Sequence, residues 1–193
     1  MSRIPALARR DVGLFGRIVY RVTARRYGAV PEPITVLAHH RGLTRASAVH
    51  ELLVERASTA LPTAVRSLVV YRTARLIGCS WCVDFGEMLQ RLESVDQYRL
   101  AHIDDYRDDP AYSDDERAAL AYADALTTDP LTAVTDAQVA DLLDRFGVDG
   151  VLELTYQIGL ENMRARMYGA LGIVDQGFAS GACRLPEGPD DQR

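Results

Sequence analysis

Two thiols stand three residues apart in Cys79-Ser80-Trp81-Cys82, preceded by Gly78 and followed by a segment, Val83 to Arg91, that reads as helix. Residues i and i+3 at the start of a helix share one face, with Cβ atoms about 5–6 Å apart, a small adjustment from the roughly 3.5–4.5 Å of a disulfide. The first turn of a helix also presents unsatisfied N–H groups and a partial positive charge. These favour thiolate over thiol and lower a cysteine pKa from about 8.5 toward roughly 3.5–7.5. A reversible dithiol–disulfide couple is the chemistry this spacing suits, and either sulfur can serve as the nucleophile.

Other chemistries fit less well. A c-type haem site needs His directly after Cys82, where the chain has Val83. A structural zinc site needs four ligands; Cys183 with one of His39, His40, His50 or His102 would complete a set only if the fold happened to gather them. No metal and no cofactor is therefore expected. The chain contains no lysine, so Schiff-base chemistry and a lysine general base are excluded. The formal charge of −5 offers no overall attraction to nucleic acid, although Arg3, Arg9, Arg10, Arg17, Arg21, Arg25 and Arg26 make the beginning locally basic. Those arginines alternate with Leu7, Leu14, Phe15, Ile18 and Val22, the pattern of a helix face or a clamp on a neighbouring subunit. No apolar run approaches the roughly 18 residues of a membrane span, and the basic start lacks the apolar stretch of a secretory signal. A cytoplasmic protein is expected, in keeping with few cysteines and a close redox pair.

The elements that have to position the pair read as helices throughout. With 48% hydrophobic and 25% charged residues, the 193-residue chain has the composition of a globule, and apolar positions recur at helical rather than alternating spacing. The expected class is all-α. A first helix is predicted from Pro5 to Tyr27, ended by Gly28; a short segment, Ile34 to His40, is stopped by Arg41-Gly42, and another helix follows Thr44. Leu61-Pro62-Thr63 opens a helix that carries Val65, Leu68, Val69, Arg72 and Leu76 and closes at Gly78. The dithiol helix comes next. The stretch Asp104 to Glu116 is acidic and turn-rich, more suited to caps and solvated surface than to a metal. Ser113-Asp114-Asp115-Glu116 forms a capping-box pattern that opens a helix to about Leu126. Thr135 caps a helix that closes at Gly147, and Val148 to Leu171 reads as a long buried helix. The organisation expected is a basic helical extension over 1–33, one helical domain over 34–175, and a loosely ordered polar tail over 176–193.

The helix that leads into Gly78-Cys79-Ser80-Trp81-Cys82, from Arg72 through Ile77, resembles that of the carboxymuconolactone decarboxylase / alkylhydroperoxidase D-like (AhpD-like) superfamily. Leu37-Ala38-His39-His40 looks like the segment that opens that domain, Ala121 to Thr127 like its middle helix, and Asn162 to Ile173 like its closing helix, so the resemblance covers roughly 34 to 173. It implies an all-α, usually oligomeric fold in which Cys82 attacks a hydroperoxide and Cys79 resolves the sulfenic acid as a disulfide. A thiol or dithiol reductant, protein or small molecule, then regenerates the pair. Homo-oligomers are thus expected, with neither nucleic acid nor membrane as partner.

Two positions depart from that pattern. Peroxidatic members carry a Glu twelve residues before the first Cys and a His four after the second, which take and return protons; here those positions hold Ser67 and Gly86. Tyr71, one turn after Ser67, and His39 or His40 are the candidates to substitute. Arg166 and Asn162 match an Arg and an Asn of the closing helix, and an Arg near the thiols would favour a thiolate. Trp81 either walls the pocket or faces an interface, and the charge of Asp84 would oppose a thiolate. The leading expectation is a thiol–disulfide oxidoreductase with hydroperoxide-reducing activity. The alternatives are a lactone decarboxylase-type proton-transfer enzyme on a small carboxylate, using His and Arg, and a non-catalytic redox-responsive oligomer.

Overall fold

The computed structural model describes residues 2–92, 96–128 and 133–180. Among the described residues there are eight α-helices and no strand: α1 Leu14–Tyr27, α2 Glu32–Leu37, α3 Arg41–Ala57, α4 Thr63–Ile77, α5 Ser80–Leu92, α6 Gln97–Ala101, α7 Asp114–Thr127 and α8 Asp136–Leu171, with a short 3-10 turn at Ile103–Asp105. None is long and apolar enough to cross a membrane. Local chemistry explains most of their ends. Gly28 and Gly78 close α1 and α4 in the left-handed region, with φ of 82° and 77°. Ser113 and Glu116 form the reciprocal capping box of α7, and Thr135 caps α8 by accepting from the Gln138 N–H. At Gly147, φ of 66° and ψ of −179° break α8 into two arms, as the glycine foretells.

The packed centre is α4 against α5, α7 and α8. Leu68 and Val69 of α4, Leu120 of α7, and Leu142, Leu154 and Ile158 of α8 are fully buried together with Ile103. At about 1.5–3 kcal/mol for each buried aliphatic side chain, this layer is the main stabilising contribution. The periodic residues of α4 include Arg72, and it too is buried. Its Nε lies 2.7 Å from Asp124 Oδ1, it also pairs with Asp104, and its guanidinium stands 5.6 Å from the Tyr106 ring centre. The acidic stretch is thus largely the counter-charge of arginines: Asp124 also receives Arg107 and Tyr106, and Asp104 also receives Arg75.

Several boundaries differ from the sequence expectation. α1 starts at Leu14, not Pro5, because Gly13 is extended and the residues before it bond to the body: Arg3 N–H to the Leu171 carbonyl, Leu7 N–H to that of Thr35, and the Leu7 carbonyl to Tyr20 Oη. Arg41-Gly42 does not stop a helix but begins α3, since His40 Nδ1 accepts the Leu43 N–H as its cap. Thr44 instead donates back to the carbonyls of Leu37 and His40, tying α3 to α2. The second arm of α8 is buried on one side only, and Val148, Leu152, Tyr156, Met163 and Met167 are exposed. Residues 176–180, expected to belong to the polar tail, pack down, with Phe178 only 5% exposed; the rest of that expected tail lies outside the described residues.

Two stability tests follow. Replacing Arg72 by Met leaves Asp124 without its buried partner and should lower unfolding free energy by about 3–5 kcal/mol in urea titrations, whereas Arg107→Ala, at the exposed edge, should cost less than about 1 kcal/mol. Glu161 on α8 is buried, with Oε1 lacking a partner and Oε2 3.4 Å from Arg164, and burial pushes its carboxyl up to about 7. The folded chain therefore holds an extra proton between about pH 4.5 and 7. Stability from this group is full below that window, falls as pH rises through it, and stays low above it. Glu161→Gln should accordingly gain stability relative to the parent as pH is raised from about 5 to 8, read from urea midpoints across that range.

Candidate active site

The site is made by the hairpin of α4 and α5. Gly78 turns left-handed, its N–H reaching the carbonyls of Ala74 and Arg75 while the Cys79 N–H returns to Ala74. Cys79 is then the cap residue of α5: its carbonyl accepts the Val83 N–H at 3.0 Å, and its Sγ accepts the Cys82 N–H at 3.2 Å. A sulfur takes the place of the usual capping oxygen, at the positive end of the helix. Cys79 and Cys82 are joined as a disulfide, their Cα atoms 5.3 Å apart, within the ordinary range for such a bond.

Beside the disulfide lies a cleft of about 470 Å³, lined among others by Arg75, Cys79, Val83, Glu87, Asp175 and Ala179. The two cysteines are almost equally buried, 6% and 8% exposed, and it is Cys79 that lines this opening. Of the lining residues, Glu87 accepts the Tyr71 hydroxyl on Oε1 at 2.9 Å. Burial, reinforced by Glu87 and opposed by Arg75, pushes the Tyr71 hydroxyl up to about 12, so it remains a neutral donor. Arg75 hydrogen-bonds Tyr71 and pairs with Asp104.

The other side of α5 is dry. Trp81 stacks on Phe85 with ring centres 4.7 Å apart and meets Tyr168 and Phe178 edge-on. Its Nε1 donates to Gln176 Oε1 at 2.8 Å. Trp81 thus faces the core and is not among the residues lining the cleft. Asp84 is buried, and its carboxylate accepts four successive backbone N–H groups: Gln176, Gly177 and Phe178 on Oδ2 and Ala179 on Oδ1, at 2.8–3.0 Å. Four amide dipoles therefore offset the charge that sequence alone sets against a thiolate. They also clasp residues 176–179 onto the dithiol helix.

The remaining candidates are placed elsewhere. His39 contacts the Pro5 carbonyl and His40 caps α3; both are exposed. Asn162 donates to Thr127 Oγ1 and the Ile158 carbonyl, joining α8 to α7, and Arg166 is exposed on α8. None of these four lines the cleft. Cys183 lies outside the described residues. Sequence reading missed Glu87, Arg75 and the Asp84 clasp. For Glu87 a signal exists, since positions 79, 83 and 87 fall on one helical face; for the clasp the only hint is a single apolar Phe178 in a polar segment.

Comparison with known proteins agrees with this architecture. No family model matches the chain. It is 34% identical over 187 residues to the uncharacterized protein YnjA of Escherichia coli (strain K12), covering 97% of this chain and 96% of that one. The fold superposes with a TM-score of 0.82 on an alkylhydroperoxidase AhpD core, an uncharacterized peroxidase-related protein from Ralstonia eutropha JMP134, at 18% identity over 92% of this chain and 94% of the other. The chain belongs to one family with YnjA, and its fold is that of the AhpD core. Another fold of this AhpD-like shape is a variant of the debrominase Bmp8 in complex with 2,3,4-tribromopyrrole, with a TM-score of 0.81 at 18% identity, covering 94% and 96% of the two chains.

The clasp is open to test. Asp84→Ala removes the acceptor of four amides and should speed protease cleavage within 175–180 by about tenfold or more. It should also shift the emission of Trp81, the chain's single tryptophan, to longer wavelength as Gln176 and Phe178 leave it.

Proposed function

We propose that this AhpD-like protein is a thiol–disulfide oxidoreductase that reduces hydroperoxides through the Cys79–Cys82 couple. The observation that carries the reading is the pairing of the two sulfurs at the cap of α5, with Cys79 on an open cleft. One thiolate attacks the terminal peroxide oxygen, giving an alcohol and a sulfenic acid. The second thiol displaces water from that sulfenic acid to form the disulfide. A thiol or dithiol donor then restores both thiols by exchange. No imidazole lines the cleft, which weighs against a decarboxylase that would rely on His.

The likeness to a debrominase supports a second acceptor class for the same couple. Two thiols and an aryl bromide would yield the arene, bromide, a proton and the disulfide. Ser67 and Gly86, where peroxidatic members carry their Glu and His, favour keeping this acceptor in view. The protein is proposed to act in the cytoplasm, where thiol donors are at hand, and as a homo-oligomer. Supporting assembly, exposed Val49, Leu52 and Leu53 of α3 lie beside exposed Leu152, Tyr156 and Met163 of α8, helices bridged by His50–Tyr156 and Glu51–Arg164.

The deciding experiment is stoichiometric. One equivalent of cumene hydroperoxide added to the reduced chain should lower its three free thiols to one, with Cys79 and Cys82 lost together. Dithiothreitol should sustain turnover, and Cys79→Ser or Cys82→Ser should abolish it. Peroxide consumption no faster than that of a free thiol would refute the peroxidase reading. Bromide release from 2,3,4-tribromopyrrole would then support the second acceptor.

A further inference from the structure

Resting on the peroxidase reading above, we infer that Glu87, held by Tyr71, carries the proton between the thiol couple and the acceptor in the cleft. Tyr71 lies against position 86, where a relay side chain would start: a Cβ built on Gly86 would come 3.3 Å from Tyr71 Cδ2, a tight contact that the ring would have to ease. The tyrosine stands one helical turn after Ser67 and its partner Glu87 one residue after Gly86, so a hydroxyl–carboxylate pair sits next to both altered positions. On the same side of the hairpin, Gln90 Nε2 donates to the Ser67 carbonyl at 3.2 Å, closing α5 onto α4 below the pair.

Charge around the cleft singles out the same residue. The groups facing Glu87 are Tyr71 and Arg75 of α4, Asp104 behind Arg75, Asp84 and Arg91 of its own helix, and Asp175 from the segment after α8. Asp84 is saturated by four amides, and Asp104 is taken by Arg72 and Arg75. Glu87 has one oxygen fixed by the neutral Tyr71 donor; the other lies 3.9 Å from Arg91 Nη2. It is a positioned carboxylate on the wall that it shares with Cys79.

Eight residues of helix separate Cys79 from Glu87, about 12 Å of rise, and helical side chains lean toward the N-terminus, here toward Cys79. The carboxylate therefore acts on the occupant of the cleft, water or substrate, rather than on Sγ. The thiol proton passes through that occupant to Glu87. The thiolate attacks the terminal oxygen of ROOH; the S–O bond forms, the O–O bond breaks, and its electron pair leaves on the RO oxygen. Glu87 returns the proton to that oxygen, giving ROH and a sulfenic acid, and ends as carboxylate. The second thiol, with its own proton, then releases water as the disulfide closes.

The test is the pH profile of kcat/KM for cumene hydroperoxide, with dithiothreitol as donor, in the full chain. Glu87→Gln should lower it by about 10²-fold or more and remove its acid limb. Glu87→Asp should recover part of the rate, and Tyr71→Phe should keep the limb but displace it. The far-UV circular dichroism of every variant should match that of the parent, so that a lost rate reports chemistry and not fold. A Glu87→Gln enzyme within about twofold of the parent and with the same profile would overturn the assignment. If the parent itself shows no peroxide turnover, the peroxidase reading fails instead. Alkylation by iodoacetamide then tests Glu87 separately: a thiol pH profile displaced by Glu87→Gln upholds the proton transfer, and an unmoved one overturns it.

Discussion

The left-handed turn at Gly78 is the constraint on which the rest of the structure depends. A side chain at φ of 77° is strained, and without that turn α4 could not hand the chain to α5 within two residues. Because it does, Cys79 becomes a cap residue rather than an interior one. Its sulfur takes the Cys82 N–H, and the two thiols meet across the first turn of a helix. The same turn folds α5 back along α4, which brings Glu87 within hydrogen-bond reach of Tyr71 and sets Arg75 of α4 and Glu87 of α5 on the wall of one cleft. The redox pair, its neighbours and the opening all follow from one backbone angle.

Guanidinium chemistry links this site to the core. With no lysine in the chain, every fixed cation is a planar fork able to hold two carboxylates at once. Arg72 uses it inside the core, spanning Asp104 and Asp124; Arg75, one turn on, takes the other side of Asp104 and hydrogen-bonds Tyr71. A continuous chain of contacts therefore runs from a buried ion pair through Asp104, Arg75 and Tyr71 to Glu87. The ion pairs at the α4–α7 packing are thus joined, through Asp104, to Arg75 on the wall of the cleft.

How far the sequence could be read depended on the range of the interactions involved. Glycine stops at 28, 78 and 147 and the caps at 113 and 135 are local chemistry, and the helices they bound stand in the structure where the residues indicate. So does the pairing of Cys79 with Cys82, which needs only one helical turn. Readings that depended on distant partners fared otherwise. The basic start is helical only from Leu14 because its earlier backbone bonds to residues far along the chain. Arg41-Gly42 reads as a stop until His40 is seen to cap it. Trp81 beside a reactive pair reads as a pocket wall or an interface aromatic, yet Phe178, nearly a hundred residues on, gives it an edge-on partner in the core. Glu87 shares the helical face of Cys79 in the sequence, but its partner Tyr71 comes from another helix and meets it only in the fold.

The Asp84 clasp bears on the order in which the molecule can be completed during synthesis. Helices α4 and α5 leave the ribosome well before residues 176–180, so the dithiol helix first exists with its aromatic side uncovered and a carboxylate awaiting its amides. Only when the Phe178 region has emerged can it close over Trp81. Completion of that side of the dithiol helix is thereby deferred until about 90 residues beyond it have been made.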